Sequence, residues 1–199
     1  GDNSSNGDYA VIVSDNTTAN DGGIMVSQIF DNGTTIAIAS TGSTSMTGGG
    51  TAKHVDLEQC AVTHLAGTFY VALSDEPGSG SGDNVSVWKS TNLTSWSQIG
   101  TDLVISGDAH SLSIGTIGGS ASDNGVWVAV NNGGSVDLLH YEDPAGGTSY
   151  SWQNLGTIIS GAGTSGHEAV VSLATDNDTV IGIAAVVSGQ ATTSFYYNQ

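Results

Sequence analysis

The segment "NLTSWSQIGTDLVISGDAH" (92–110) returns later in the chain as "SYSWQNLGTIISGAGTSGH" (149–167). Each copy runs through Ser-Trp, a short polar step, an apolar residue, Gly-Thr, an apolar run, a Ser-Gly loop and a His. One offset separates Trp96 from Trp152 and Gly100 from Gly156, and His110 to His167 is a single position longer. Self-similarity at such a period means one supersecondary unit stacked on copies of itself, because a single unit cannot bury its own apolar face.

The match extends outward. "GTFYVALSD" (67–75) corresponds to "NGVWVAVNN" (124–132), and "NVSVWKSTN" (84–92) to "SVDLLHYED" (135–143). His54 precedes His110 by the same offset as the tryptophans and opens an earlier unit. "GDYAVIVSD" (7–15) reads beside "GHEAVVSLATD" (166–176), with Asp8 in the place of His167. Four units result: 8–53, 54–109, 110–166 and 167–199. In the central two, apolar runs separated by Gly, Asn, Asp and Ser clusters predict four short strands each, among them 67–74, 84–90, 125–131 and 135–141. No segment sustains a helical period, so helix should be nearly absent.

Four-stranded antiparallel units of this length predict an all-β, β-propeller-like array of about four blades. A β-solenoid, or a fragment of a larger propeller, is the alternative. The fourth unit stops after about three strands, which leaves "TTSFYYNQ" (192–199) as an edge. An open edge invites pairing with other chains. Either an N-terminal strand completes the last sheet, or a neighbouring subunit does so by β-augmentation. The second route gives self-association into a ring or a filament.

Charge narrows the partners. The chain has 19 acidic residues, two lysines (Lys53 and Lys89) and no arginine, for a formal net charge of −17. Such a surface repels phosphate backbones and anionic lipid, which excludes nucleic acid and disfavours membranes, and it attracts cations. There is no apolar run of transmembrane length. The sequence starts at Gly1 with no signal-like segment, which fits a processed extracellular or cell-surface protein. The single cysteine, Cys60, excludes an intramolecular disulfide and is expected as a buried apolar thiol. Asn-x-Ser/Thr occurs at Asn3, Asn16, Asn32, Asn84, Asn92 and Asn177, in turns where glycosylation is expected if the organism performs it.

At "STNLTSW" (90–96) the chain resembles the Ser-x-Asp-Leu-x-x-Trp turn of arabinanase- and xylosidase-type glycoside hydrolases. It is more loosely similar to the Asp-box turn of sialidase-like propellers. Asn92 takes the place of the Asp, and "DPAGGTSYSW" (143–152) is a looser copy. The resemblance covers mainly the two central units and implies a propeller fold rather than a chemistry. Sialidase activity is excluded, because the arginines that clamp a sialoside carboxylate are missing from this sequence. Arabinanase-like hydrolysis would need one protonated and one ionised carboxylate near the axis. Asp56 and Glu168 are the candidates, with Glu58 on the same kind of strand. Solvated surface acids are the plainer account of all three.

The phase-matched set Asp8, His54, His110 and His167 opens the innermost strand of each unit. Convergence of these side chains on a propeller axis would suit zinc or another transition metal. Calcium would prefer oxygen-rich turns such as "TDND" (175–178). The alternative is that the histidines only hold the opening loop of each unit by hydrogen bonds. His64 and His140 are out of phase and read as ordinary strand residues. Trp96 and Trp152 either stack on sugars or pin neighbouring strands, and Trp88 and Trp127 read as packing residues. The sequence thus leads to an extracellular structural or adhesive repeat protein. A carbohydrate-binding module and a glycoside hydrolase are the rival readings.

Overall fold

The computed structural model describes residues 2–3, 7–16, 23–31, 36–45, 47–48, 51–52, 57–65, 67–75, 84–92, 95–105, 109, 111–117, 125–132, 134–142, 152–161, 171–175, 181–186 and 193–198. Every strand pairing is antiparallel, and no helix occurs among the described residues. The first sheet is β1 (Asp2–Asn3), β2 (Gly7–Asn16), β3 (Gly23–Asp31) and β4 (Ile36–Ser45), in that spatial order. A short ribbon of β5 (Thr47–Gly48) and β6 (Thr51–Ala52) follows. The second sheet holds β7 (Leu57–Leu65), β8 (Thr68–Asp75) and β9 (Asn84–Ser90), and β10 (Ser97–Gln98) and β11 (Leu103–Val104) both pair with β9. The third sheet is β12 (Ser111–Ile117), β13 (Gly125–Asn131), β14 (Ser135–Glu142) and β15 (Gln153–Ser160). The fourth has three strands, β16 (Val171–Thr175), β17 (Ile181–Val186) and β18 (Thr193–Asn198).

Hydrogen-bond register shows the repeat directly. Val71 pairs with Val62 and Trp88 in the second sheet, and Val128 with Ile114 and Leu139 in the third. The fourth strand keeps the offset of the tryptophans, since Ser97 pairs with Lys89 and Gln153 with His140. Gly100 and Gly156, related by that same offset, share positive φ, +68° and +82°. Both mark the irregularity at which that strand kinks, a conformation that glycine adopts without a Cβ clash.

Sheets stack in chain order: β7 contacts both β2 and β12, and β12 contacts β16. Among the described residues no contact of comparable extent joins the first sheet to the fourth. Strand alternation splits the third sheet between two cores. From the third sheet, Leu112, Ile114, Val126, Val128, Val130 and Leu139 pack with Tyr70, Ala72, Val85 and Val87 of the second. The residues between them, Ile117, Trp127, Ala129, Val136 and Leu138, pack with Val171, Leu173 and Ile183 of the fourth. Every residue of β13 is therefore buried. This two-sided burial of one sheet by its neighbours is the packing of propeller blades.

The innermost strand of a blade has no strand partner on its inner side, so its amides need another acceptor. The amides of Val171 and Leu173 donate to the hydroxyls of Ser111 (3.1 Å) and Ser113 (2.9 Å), and Thr175 Oγ1 donates to the carbonyl of Thr116 (2.9 Å). Further along the same face, Gly115 leaves room for the fourth sheet. A Cβ there would stand 2.3 Å from Leu173 Cδ2 and 2.6 Å from Thr175 Cγ2.

Three expectations change. β1 pairs with β2, so the N-terminal residues Asp2 and Asn3 extend their own sheet and do not complete the fourth. Cys60 is exposed rather than buried, because β7 turns it to the face that the third sheet does not cover. In the innermost strands β7 and β12, Gln59 matches Ser111, a shorter step than the one from His54 to His110. The β7–β8 turn is shorter than the β12–β13 loop, and this moves the strand relative to the histidine.

Gly115→Ala should destabilise the fold by about 1–3 kcal/mol, because β12 and β16 must separate to admit the methyl group. Gly134→Ala, where a Cβ meets nothing within 4 Å, is the near-neutral control in the same denaturation series. Ser113→Ala should cost about 1–3 kcal/mol by leaving the Leu173 amide without its acceptor. Hydrogen exchange at Leu173 should accelerate in that variant, and unchanged protection would contradict the role given to the hydroxyl.

Candidate functional site

A half-open concavity of about 310 Å³ lies at one end of the second sheet. Register builds its floor: Tyr70, Lys89 and Ser97 form one cross-strand row over β8, β9 and β10. The wall is the 90–96 turn. Asn92 Oδ1 accepts from the Ser95 amide (2.9 Å) and the Ser90 hydroxyl (3.2 Å), and the Asn92 amide donates to Ser90 Oγ (3.3 Å). An Asn whose side-chain oxygen closes a turn on a following amide does the work that Asp would do there. Thr68, Ser90, Thr91, Asn92 and Ser95 complete the lining, so hydroxyl groups, one amide and one ammonium face the cavity. None of the lining residues is acidic, in a chain with 19 carboxylates.

The two repeat tryptophans each immediately precede the fourth strand of their sheet. Trp96 is half-buried beside the cavity wall and is not among its lining residues. Trp152 is 9% exposed and donates from Nε1 to the carbonyl of Ile99 in the second sheet (3.0 Å). Its ring lies over Gly100 and tilts against Tyr141, with centroids 5.2 Å apart. Trp152 thus latches the third sheet to the second. Trp88 and Trp127 are buried, Trp88 donating to Ser86 Oγ (3.0 Å) and Trp127 stacking on His140 at 3.9 Å.

Of the proposed metal set, Asp8 lies on β2, where register places Asp2 and Asp31 on either side of it. His54, His110 and His167 lie outside the described residues, as do Asp56 and Glu168 of the hydrolase pair. Glu58 is on β7. Thr175 of the "TDND" turn closes β16, and its other three residues lie outside the described residues. Among the described residues no three His, Cys, Asp or Glu side chains come together to hold a metal. Of the glycosylation sites, Asn3 is in β1, Asn16 ends β2, Asn84 begins β9 and Asn92 is exposed in its turn. Asn32 and Asn177 lie outside the described residues. His64 is exposed on β7, 4.6 Å from the ring of Phe69, and desolvation holds its pKa below the usual imidazole range.

In comparison with solved structures, the chain is similar to Zg3597, a family 117 glycoside hydrolase produced by the marine bacterium Zobellia galactanivorans. Identity is 14% over 89% of this chain and 52% of that one, with a TM-score of 0.49. The chain spans about half the length of that protein. No family model and no curated protein matches the sequence.

Sequence reasoning reached the turn of the cavity but not the cavity. "STNLTSW" marks the wall, while the floor residues Thr68 and Tyr70 come from an earlier strand. Only pairing of β8 with β9 brings them together.

Cys60 combines exposure with a raised pKa. The residue is exposed, yet burial of the thiolate pushes its pKa above the ordinary thiol value. A thiol reagent should therefore label native Cys60 completely at neutral pH, but more slowly than it labels a free cysteine, because the thiolate fraction is smaller. The rate should keep climbing above about pH 8.5, where the free thiol levels off. Equal rates for native and unfolded protein at neutral pH would contradict the desolvation.

Proposed function

We propose that the chain is a carbohydrate-binding, propeller-like module, and that the cavity on its second sheet is the sugar site. The observation that carries this reading is the lining itself: hydroxyls of Thr68, Thr91, Ser95 and Ser97 with the side-chain NH2 of Asn92, over a floor of paired strands. Each hydroxyl both donates and accepts, which is the complement of a polyol with alternating donors and acceptors. About 310 Å³ suits one or two sugar rings and lies at the low end for small-molecule sites. The apolar walls that a lipid would need are absent from this lining.

Lys89 sharpens the class of sugar. It is one of two lysines in a sequence without arginine, and it lies on the cavity floor. An ammonium there favours a sugar with an acidic substituent, by a charge-assisted hydrogen bond of about 1.5–3 kcal/mol. An extracellular adhesive role follows from the same reading, with the blades as scaffold and glycan recognition as the means of attachment.

A glycan array followed by calorimetric titration tests this. Retention of uronate-bearing oligosaccharides is expected, with their neutral methyl esters bound about tenfold more weakly or worse. Thr68→Val combined with Ser97→Ala should weaken every bound sugar by about tenfold or more at unchanged melting temperature, since two hydrogen bonds are lost. Lys89→Met should abolish the preference for the acid over the ester while leaving the ester's affinity in place. An array with no retained glycan would overturn the reading, whereas equal binding of acid and ester would overturn only the part given to Lys89.

A further inference from the structure

One side of the cavity rests on a short length of strand. Ser97, at the start of β10, lines the cavity, and Ser95 just before it belongs to the wall. β10 is bonded to β9 only through Ser97 at Lys89 and Gln98 at Trp88. Beyond it the Ile99 amide still donates to the Val87 carbonyl (2.9 Å), and then Gly100 kinks at a φ of +68°. Gln98 Nε2 donates to Asp102 Oδ1 across the kink, and pairing with β9 resumes at Leu103. A ladder this short opens locally at little cost, so it holds a binding surface weakly by itself.

A second hold comes from the third sheet. Trp152 donates from Nε1 to the Ile99 carbonyl (3.0 Å), and a Cβ on Gly100 would stand 2.6 Å from its ring. Ile99 is 4% exposed and packs in the core that the two sheets share, with Trp152 and Tyr70. Residues two apart on a strand share a face, so Ser97 lies on the face of Ile99 that Trp152 covers. The segment 95–99 is thus fixed at both ends. The Asn92 side-chain oxygen holds the Ser95 amide (2.9 Å), and the indole holds Ile99.

Resting on the reading of the cavity as a sugar site, we propose that Trp152 is the positioning residue of that site. Trp152 is not among the lining residues. Its N–H and ring keep Ile99 down against Val87, and this sets the position of Ser97 and of the end of the 90–96 turn. A surface already held in its bound form loses less freedom when the ligand arrives, and so binds it more tightly. Affinity on the second sheet is governed by its contact with the third, and parting the two sheets releases the sugar.

Trp152→Phe keeps a ring over Gly100 and removes the N–H donor. Hydrogen exchange in the free protein should then accelerate at Ser97 and Ile99. Titration with the uronate oligosaccharide that the array retains should show affinity lower by about fivefold or more. A residue that only supports the stack would loosen every side of the cavity, whereas a positioning residue acts through Ser97. The effects of Trp152→Phe and Ser97→Ala should therefore fail to add, while those of Trp152→Phe and Thr68→Val, on β8, should add. Tyr141→Leu removes the ring against which Trp152 tilts and should give a smaller loss in the same direction, which serves if Trp152→Phe does not fold. Unchanged affinity in both variants, unchanged exchange at Ser97 and Ile99, or equal coupling of Trp152 to Ser97 and to Thr68 would overturn the proposal. Retention of no glycan by the wild-type chain would overturn the sugar reading instead, and exchange in the free protein would still decide whether Trp152 holds the segment.

Discussion

The array depends on how an innermost strand is satisfied on the side where no strand lies. Within a sheet the ladder takes care of backbone groups, but stacked sheets meet through side chains. At β12 the chain solves this with alternating small residues: Ser111 and Ser113 put hydroxyls under the amides of Val171 and Leu173, and Gly115 keeps the gap closed. A longer side chain at any of these positions would push the fourth sheet away. The same strand turns Leu112 and Ile114 to the other side, into the core shared with the second sheet. One seven-residue strand thus serves two interfaces of opposite character.

Most of the fold was legible because its signal is periodic. The strands at 84–90 and 125–131 match β9 and β13 at both ends, and the Gly100/Gly156 offset corresponds to a shared backbone kink. Local chemistry also survived one change of residue: Asn92 closes its turn with its side-chain carbonyl oxygen, where the Asp of the resembling motif would use a carboxylate oxygen. What failed was the assumption of a single period. Hairpin loops differ in length between units, so each strand carries its own offset, and the step between His54 and His110 is not the step between β7 and β12.

Burial of single residues was the other illegible quantity. Cys60 is apolar enough for a core, yet its face of β7 is one that the third sheet does not cover. Trp96 and Trp152 look alike in sequence, but the second is buried because it lies across Ile99 and Gly100 of the preceding sheet. The cavity on the second sheet could not be read for a related reason. Its floor joins Tyr70 to Lys89 through antiparallel pairing, a relation between distant positions that spacing along the chain does not encode.

Complete burial of β13 gives the molecule an inside measured along its sequence. The third sheet is covered on both faces, and the described core residues of the fourth lie against it. Stability in a stack of this kind is a sum of nearest-neighbour couplings, so the units are unequal even where their sequences agree. Departure of the fourth sheet would uncover Trp127, Ala129 and Leu138 together. Substitutions in β13 are constrained from two directions at once, so drift among related chains should be slow along this strand.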